Sequence, residues 1–448
     1  MAQEKTIIVA GGNAAGPAAA AKAKRTDPSA RVIMFEQSPF ISTGTCELPY
    51  IISGEIPSYK EIVFFDKNTF EESKGVEVFT GYRIDEIDRR GCTVKISSDD
   101  GKSLDYRYDT LILATGSSAV KLPQLDDSAE NLFYMKNVQD LIRLDEYIRV
   151  HNPENAFIIG SGYIGLEMAE ALAKRGIEVT TADTDQLPLP ASDPEIQHLV
   201  YEILKENGIS FSGKLSEIRP FYKNNLIKSV RAEGRTSEFD MVLIAAGVRA
   251  NNRLALQCRL ELGKSGGLRV DKKLRTSDQR IWAAGDNIEV TNFITGRPEY
   301  LPLASIAQKS GHIAGENAAG GNKLFGSVIR NTAFRLFNNT IVITGLTARE
   351  AMVSGFTIKS VHAVSPNLIR VFPGSRNVFG KIIYESGSRR ILGASFIGGN
   401  EAAGYGDLIS SLIKSRSDAS LLADLDYNYT PPVSPFINLL SILGRKVK

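Results

Sequence analysis

Two glycine-rich turns are the clearest candidate ligand sites in this chain. The first, GGNAAG at residues 11–16, follows the apolar run TIIVA, and the second, GSGYIG at residues 160–165, follows AFII. Glycines let the backbone approach a pyrophosphate closely, and the positive end of the following helix favours the phosphate charge. An acidic residue ends the next apolar segment in each copy, Glu36 in the first and Asp183 in the second. A carboxylate there accepts hydrogen bonds from ribose hydroxyls, so the spacing predicts two dinucleotide sites.

A single thiol is the next candidate for chemistry. The three cysteines, Cys46, Cys92 and Cys258, are too far apart for a CxxC redox or zinc motif. Cys46 precedes the segment LPYII, and if a helix begins there its amide dipoles would favour the thiolate over the thiol. For Cys92 and Cys258 we predict packing roles. The four histidines show no metal-ligand spacing, so we expect no metal site.

The elements that must position these residues occur twice along the chain. Each glycine turn lies between an apolar strand and a helix, and a second strand follows, which is a βαβ unit. Each unit is later closed by a similar strand and turn: YDTLILATG ends at Gly116, and FDMVLIAAG ends at Gly247. A further segment that fits the first unit appears only after Gly247, when the second unit is complete. We therefore predict an α/β protein with two Rossmann-like dinucleotide-binding domains, the second inserted in the first.

The predicted domain boundaries follow from this repeat. The first domain takes residues 1–117 and 248–327, and the second takes residues 118–247. From residue 328 onward, the sequence has strands separated by polar turns and one amphipathic helix, GDLISSLIKS. This pattern predicts a C-terminal α+β domain over residues 328–448.

The overall composition gives no reason to expect a nucleic acid or a membrane as a partner. Lys and Arg total 53 against 51 for Asp and Glu, for a net charge of +2, and 43% of the residues are hydrophobic. The amino terminus leads directly into TIIVA without the pattern of a secretory leader, and no run of 18 apolar residues occurs. The expected location is the cytoplasm.

One segment after the second unit is similar to a known signature. The sequence TSDQRIWAAGD at residues 276–286 resembles the second FAD-binding signature of the pyridine nucleotide disulfide oxidoreductases. In that family the aspartate, here Asp286, contacts the ribityl chain of FAD. The resemblance implies that the first unit binds FAD and that the second binds a nicotinamide nucleotide.

The segment around Cys46 narrows the resemblance. STGTCELPY at residues 42–50 is similar to the single-cysteine branch of that family, which includes coenzyme A disulfide reductase, NADH oxidase and NADH peroxidase. Members with an internal redox disulfide carry a second cysteine five positions after the first, where this chain has Ile51. The resemblance covers essentially the whole chain, and it implies that electrons pass from the nicotinamide through FAD to Cys46.

The family's functional residues can be assigned position by position. The FAD site would comprise Gly11, Gly12, Asn13, Ala14, Gly16, Glu36, Ala114, Thr115, Gly116, Asp286 and Ala304. The nicotinamide site would comprise Gly160, Gly162, Tyr163, Ile164, Gly165, Glu167, Asp183 and Gly247, with Tyr163 covering the flavin when no nucleotide is bound. The substrate site would comprise Lys22, Arg25, Ser42 and Thr45.

A homodimer is implied by the same resemblance. The segment LDYNYTPPVSP resembles the Tyr-x-Pro-Pro signature of the family's dimerisation domain, which would bring Tyr429 to the partner subunit's flavin and cysteine as a second catalytic residue. The alternative is that these aromatic and proline residues only pack a chain tail. A further tyrosine of the family is absent, since Phe372 stands in VFPGS.

The choice of substrate depends on a few positions. NADH oxidases and peroxidases carry a histidine in the first glycine turn, where this chain has Ala14, which argues against oxygen or peroxide. Lys22 and Arg25 match basic residues that hold coenzyme A in its disulfide reductases, although a solvated basic helix face would look the same. We therefore expect NADH, preferred over NADPH because of Asp183, to reduce coenzyme A disulfide, or else a persulfide or polysulfide. The alternatives are an NADH oxidase and a slowly turning over redox sensor.

Overall fold

The first glycine turn lies at the carboxyl edge of a five-stranded parallel sheet. The computed structural model describes residues 4–98, 100–232 and 235–448. Residues 1–3 lie outside it, and the expectations about a leader and about the start of the first domain include these residues. In spatial order, the strands of this first sheet are Ile281–Ala283, Thr110–Leu113, Thr6–Ala10, Arg31–Glu36 and Glu77–Thr80. Its central strands are buried apolar runs, as expected where both faces of a parallel sheet are covered.

A second five-stranded parallel sheet repeats this order. Its strands are Leu132–Tyr134, Met241–Ile244, Asn155–Ile159, Glu178–Ala182 and Ser210–Ser212. In both sheets the strand before the glycine turn is central, between the closing strand and the strand that leads to the acidic residue. The predicted pair of parallel, Rossmann-like βαβ units is therefore confirmed.

The chain leaves the first sheet and returns to it beside the point of departure. Ser117–Ala119, which leads away from the first sheet, pairs antiparallel with Val248–Ala250, which leads back from the second. The returning chain then adds Ile281–Ala283 to the edge of the first sheet, next to Thr110–Leu113. Asp286 consequently follows the end of a strand of the first sheet.

The helix that follows the first glycine turn packs closely against a second helix. Ala15–Thr26, rich in alanine, packs along Ala304–Ala318. A Cβ atom at Gly315 would lie 2.1 Å from the carbonyl oxygen of Ala19, so only glycine permits this approach. The equivalent helix after the second glycine turn is Tyr163–Lys174.

A five-stranded antiparallel sheet forms the C-terminal part of the chain. In spatial order its strands are Asn331–Leu336, Asn339–Gly345, Ile391–Gly398, Asn377–Glu385 and Ile358–Pro366. The helix predicted around GDLISSLIKS extends over Glu401–Lys414 and packs on this third sheet, as does Leu439–Arg445. The α+β character predicted for this part is what the structure has.

Further helices and strands complete the described fold. The other helices are Leu48–Ile52, Lys67–Lys74, Val138–His151, Pro194–Glu206, Arg253–Gln257 and Ala348–Val353, with 3-10 helices at Thr45–Glu47, Tyr59–Ile62 and Ala419–Ala423. The other strands are Ile41–Thr43, Val63–Phe65, Tyr82–Asp88, Thr93–Ser98, Ser103–Arg107, Ile218–Lys223, Leu226–Ala232, Arg235–Glu238, Val290–Thr291 and Pro298–Glu299. Among the described residues, no helix has the length and apolar character needed to cross a membrane.

Candidate active site

A cavity of about 1190 Å³ lies where the two glycine-turn units meet the third sheet. We call it the main cavity. The predicted site residues that line it are Gly11, Gly12, Asn13, Ala14, Glu36, Thr45, Cys46, Ala114, Thr115, Gly116, Tyr163, Ile164, Glu167, Asp286 and Ala304. The structure therefore brings most of the predicted FAD residues together with the thiol and with the start of the second unit's helix.

The two glycine turns have the same tight backbone geometry. Gly11 has φ +115°, and a Cβ atom there would lie 2.1 Å from the carbonyl oxygen of Ala114; at Gly160 the values are φ +106° and 2.4 Å from the oxygen of Ala245. The last glycine of each turn faces the first, because a Cβ at Gly165 would lie 1.9 Å from the oxygen of Gly160. Only glycine fits at these positions, which leaves the backbone free to face a pyrophosphate.

Each acidic residue is held at its own glycine turn. Oε2 of Glu36 accepts a hydrogen bond of 2.6 Å from the backbone nitrogen of Gly12. Oδ2 of Asp183 likewise accepts bonds from the backbone nitrogen of Ser161 at 2.7 Å and from its hydroxyl at 2.8 Å. The second oxygen of Glu36 accepts a bond of 2.8 Å from the backbone nitrogen of Ser38, so this carboxylate is held through both oxygens.

Asp286 has two polar partners at the cavity wall. Its Oδ2 accepts a hydrogen bond of 2.9 Å from the hydroxyl of Ser117 and lies 3.3 Å from Nζ of Lys136. Lys136, which belongs to no motif recognised in the sequence, also lines the cavity. Its position just after the parallel strand Leu132–Tyr134 was the available signal, because ligands bind outside the carboxyl ends of such strands.

Cys46 lies in the 3-10 helix Thr45–Glu47, and its side chain is partly exposed to the main cavity. Loss of water around the thiol raises its pKa, the carboxylates of Glu47 and Glu167 raise it further, and Lys136 opposes them. The predicted stabilisation of the thiolate by the following helix is therefore wrong as far as the protein's own groups are concerned. That helix, Leu48–Ile52, has only five residues, so its dipole is small.

Tyr163 and Glu167 face the main cavity from one side of the same helix. The hydroxyl of Tyr163 lies 3.2 Å from Oγ1 of Thr332, and its ring meets Phe334 edge to face at 5.2 Å between centroids. Thr332 and Phe334 belong to the third sheet, so this sheet closes the cavity of its own chain. Burial raises the pKa of Glu167 to about 7.

Several predicted residues do not line the main cavity. They are Gly16, Lys22, Arg25, Ser42, Gly160, Gly162, Gly165, Asp183, Gly247 and Tyr429. Lys22 instead pairs with Glu316 at 2.9 Å, and Arg25 is exposed in the last turn of its helix. Tyr429 is 45% exposed and contacts Phe436 edge to face. Within one chain, therefore, Tyr429 does not reach Cys46.

Cys92 and Cys258 are both buried in the core around the first sheet. The packing roles predicted for them agree with this burial. Among the described residues, no group of three or more His, Cys, Asp or Glu side chains could hold a metal ion.

The class of protein follows from this site together with the sequence. The profile of the pyridine nucleotide-disulphide oxidoreductase family matches residues 5–311, and the chain belongs to that family. It is thus an oxidoreductase, and the family implies FAD and a nicotinamide nucleotide as its cofactors.

Individual relatives match over almost the whole length. The chain is 30% identical to the CoA-dependent NAD(P)H sulfur oxidoreductase of Pyrococcus abyssi, over 99% of this chain and 98% of the relative. It is 28% identical to the NADH oxidase of Methanocaldococcus jannaschii, over 97% of each chain. It is 25% identical to the coenzyme A disulfide reductase of Staphylococcus haemolyticus, over 99% of each chain.

A solved structure gives the same picture. The chain superposes on the NAD-dependent persulfide reductase of A. fulgidus with a TM-score of 0.93 at 32% identity, covering 98% of this chain and 82% of that one. These comparisons support both the membership of the chain in the family and its resemblance to the single-cysteine branch.

The residues of the main cavity fit FAD as the resident cofactor. The turn at Gly11 is a cradle that any side chain would fill, and the Glu36 carboxylate, a hydrogen-bond acceptor, is held at that turn. Asp286 and Lys136 offer further polar groups in the wall of the cavity that also contains Cys46. When bound, FAD supplies two-electron transfer between a nicotinamide and a sulfur.

Proposed function

We propose that this chain is an FAD-dependent NAD(P)H:disulfide oxidoreductase that works through Cys46. The observation that carries the proposal is one exposed thiol in the wall of a cavity that also contains a dinucleotide turn and the start of the second unit's helix. Coenzyme A disulfide, or a coenzyme A persulfide or polysulfide, is the proposed substrate. The relatives named for coenzyme A and for sulfur support this choice.

The chain's own residues would act in a fixed order. Glu36 and Asp286 would hold FAD, and Tyr163, at the start of the helix after the second glycine turn, would cover the flavin until a nicotinamide nucleotide binds. The Cys46 thiolate attacks a disulfide, forming one S–S bond to the substrate while the other substrate sulfur leaves with its electron pair as a thiolate. Two electrons then break the new S–S bond, which regenerates the Cys46 thiolate and releases the second substrate thiolate. One protein cysteine suffices because the substrate supplies the other sulfur.

Lys22, Arg25, Ser42 and Thr45 are proposed to bind the substrate. Thr45 precedes Cys46 in the cavity wall, whereas Lys22 and Arg25 lie on the helix that follows the first glycine turn. Their charges suit the phosphates of coenzyme A. The pairing of Lys22 with Glu316 would then have to open or to be shared when the phosphates arrive.

Assembly and domain limits are proposed in the same way. We infer domains at residues 1–117 with 248–327, 118–247 and 328–448, and a homodimer in which Tyr429 reaches the partner's site. Support comes from the apolar surface around Tyr429, where Val433 is 66% and Phe436 75% exposed. A cytoplasmic location is proposed as well.

The experiment that tests the function is anaerobic turnover of NADH with a panel of acceptors. We expect coenzyme A disulfide or polysulfide to give the highest kcat/KM, above cystine and glutathione disulfide. Oxygen should be a poor acceptor, because Ala14 cannot assist chemistry at an oxidised cysteine as a histidine would. If oxygen consumption outpaced every disulfide, the NADH oxidase alternative would replace this proposal; uniformly slow rates would favour the redox sensor.

NADH should be preferred over NADPH by about tenfold or more in kcat/KM. The Asp183 carboxylate would accept hydrogen bonds from the ribose hydroxyls and would repel a 2′-phosphate. Asp183→Asn can keep the bond from the backbone of Ser161 while it removes the charge, so this variant should lose most of the discrimination. Asp185→Asn is a matched control on the same loop and should retain it. A wild-type enzyme that favours NADPH would contradict the assignment of Asp183.

A further inference from the structure

A second, smaller crevice lies behind Glu167. Glu167 and Pro49 line both this crevice and the main cavity, so the Glu167 side chain stands between the two spaces. We call the smaller space the rear crevice; its other lining residues are Tyr50, Ser53, Glu55, Glu170, Ala171 and Arg335. Its volume of about 10 Å³ is close to what one water molecule needs.

Polar contacts continue from Glu167 through the rear crevice to the surface. The hydroxyl of Tyr50 donates a long hydrogen bond of 3.5 Å to Oε1 of Glu167. The Arg335 guanidinium lies 4.8 Å from the centre of the Tyr50 ring and pairs with Glu55 at 2.5 Å. The Glu55 side chain is 37% exposed, so the path ends in solvent.

One buried donor in this region also calls for a polar partner. Nε of Arg335 is one of the buried side-chain nitrogens that have no hydrogen-bond partner among the described residues. A water molecule in the rear crevice is the group that would satisfy such a donor. The crevice is thus polar and of the right size for a proton-carrying water.

We propose that Glu167 and Tyr50 carry a proton from the rear crevice to the sulfur chemistry in the main cavity. This inference rests on the proposed function. Reduction of a disulfide RSSR′ by NADH yields NAD⁺, RSH and R′SH, and the balance requires one proton from solvent per turnover. When an S–S bond breaks and a sulfur leaves as a thiolate, the O–H bond of the Glu167 carboxyl breaks and an S–H bond forms. Tyr50 then passes its hydroxyl proton to the Glu167 carboxylate and takes another from water.

The ionisation of the groups suits this direction of transfer. Burial and Glu170 raise the pKa of Glu167 to about 7, against the lowering effects of Tyr50 and Arg335. The Cys46 thiol, whose pKa is raised above its usual value, holds a proton more strongly than Glu167 does. Burial raises the pKa of Tyr50 to about 12, so this hydroxyl stays neutral and passes protons without ionising. A carboxyl whose pKa lies near neutral pH is well placed as a general acid.

The test measures proton uptake apart from electron transfer. FAD-loaded enzyme is reduced with one equivalent of NADH without oxygen and is then mixed with coenzyme A disulfide in weak buffer with phenol red. In the wild type, proton uptake should keep pace with flavin reoxidation. In Tyr50→Phe and in Glu167→Gln, uptake should lag behind reoxidation by about tenfold or more. Tyr147→Phe, which loses a hydroxyl bonded to the carbonyl of Asp240 outside the cavity, should behave as the wild type.

A second measurement needs no turnover. Alkylation of Cys46 by iodoacetamide, followed against pH in a Cys92→Ser, Cys258→Ser background, reports the thiolate fraction. Glu167→Gln should lower the thiol pKa because a nearby carboxylate charge is removed, and Tyr50→Phe should raise the pH at which Glu167 ionises. Uptake that tracks the flavin signal in both variants would overturn the relay. The proposed function would fail if the disulfide did not reoxidise the wild-type flavin. In that case the alkylation measurement would still test the relay, and alkylation profiles unchanged in both variants would overturn it.

Discussion

Replacing Cys46 by serine should reduce disulfide turnover by about 10³-fold or more while NADH still reduces the bound flavin. A serine hydroxyl is far less acidic than a thiol and cannot take part in thiol-disulfide exchange, so the route from flavin to substrate sulfur is closed. Folding should be almost unaffected, within about 0.5 kcal/mol, because the Cys46 side chain is exposed. FAD should also remain bound, since the glycine turn, Glu36 and Asp286 are unchanged.

The measurement compares two rates in the same preparation. Stopped-flow absorbance without oxygen follows flavin reduction by NADH, and steady-state assays follow coenzyme A disulfide. Cys92→Ser and Cys258→Ser serve as controls, because both thiols are buried in the core of the first sheet and away from the main cavity. Turnover per bound FAD should survive in both. Near-wild-type disulfide turnover in Cys46→Ser would show that the electrons leave by another route.

Local signals in the sequence were sufficient for the parallel sheets and their glycine turns. Gly11 and Gly160 sit between apolar strands and helices, and the acidic residues Glu36 and Asp183 follow at the ends of the next strands. These relations are short in sequence, and they are dictated by backbone sterics and burial. The structure accordingly has the same order for the four strands that these signals describe, and the two sheets differ only in where the chain adds the fifth, edge strand.

The sequence does not show which side chains from distant segments become partners. Lys136 reaches Asp286 across 150 residues, and Arg335 lies over Tyr50 across a still longer separation. Neither side chain belongs to a motif, so only the folded arrangement of the sheets brings them to the cavity or to the rear crevice. The third sheet's contribution through Thr332 and Phe334 was likewise invisible.

The electrostatics of the thiol illustrate a further limit. The sequence shows that Glu47 follows Cys46, but it does not show which other charges face the sulfur. Loss of water, followed by the charges of Glu47 and Glu167, outweighs the effect of Lys136 and raises the pKa of the thiol. The helix dipole was the feature visible in the sequence, whereas burial, the adjacent Glu47 and the distant Glu167 decided the direction of the pKa shift.

A buried ion cluster connects the second glycine-turn unit to the third sheet. Lys381, in the strand Asn377–Glu385, has a side chain only 4% exposed; its Nζ lies 3.4 Å from Oδ2 of Asp193 and 2.8 Å from Oε2 of Glu195. The Asp193 side chain is 2% exposed, and its Oδ1 accepts a bond of 2.9 Å from the backbone nitrogen of Ala348. Glu195, at 41% exposure, is the solvent-facing member. Lys381 is therefore the cation that compensates a carboxylate with almost no access to water.

Lys381→Met should destabilise the protein by about 3–5 kcal/mol, because it leaves the Asp193 carboxylate buried and uncompensated. Thermal unfolding of the FAD-loaded protein should show a midpoint lower by several degrees. Glu195→Gln removes only a partly exposed partner and should cost about 1 kcal/mol or less. Adding Asp193→Asn to Lys381→Met removes the stranded charge, so the double variant should recover much of the loss. If Lys381→Met unfolded at the wild-type temperature, or if the double variant were no more stable than the single one, an uncompensated Asp193 charge would not be the source of the effect.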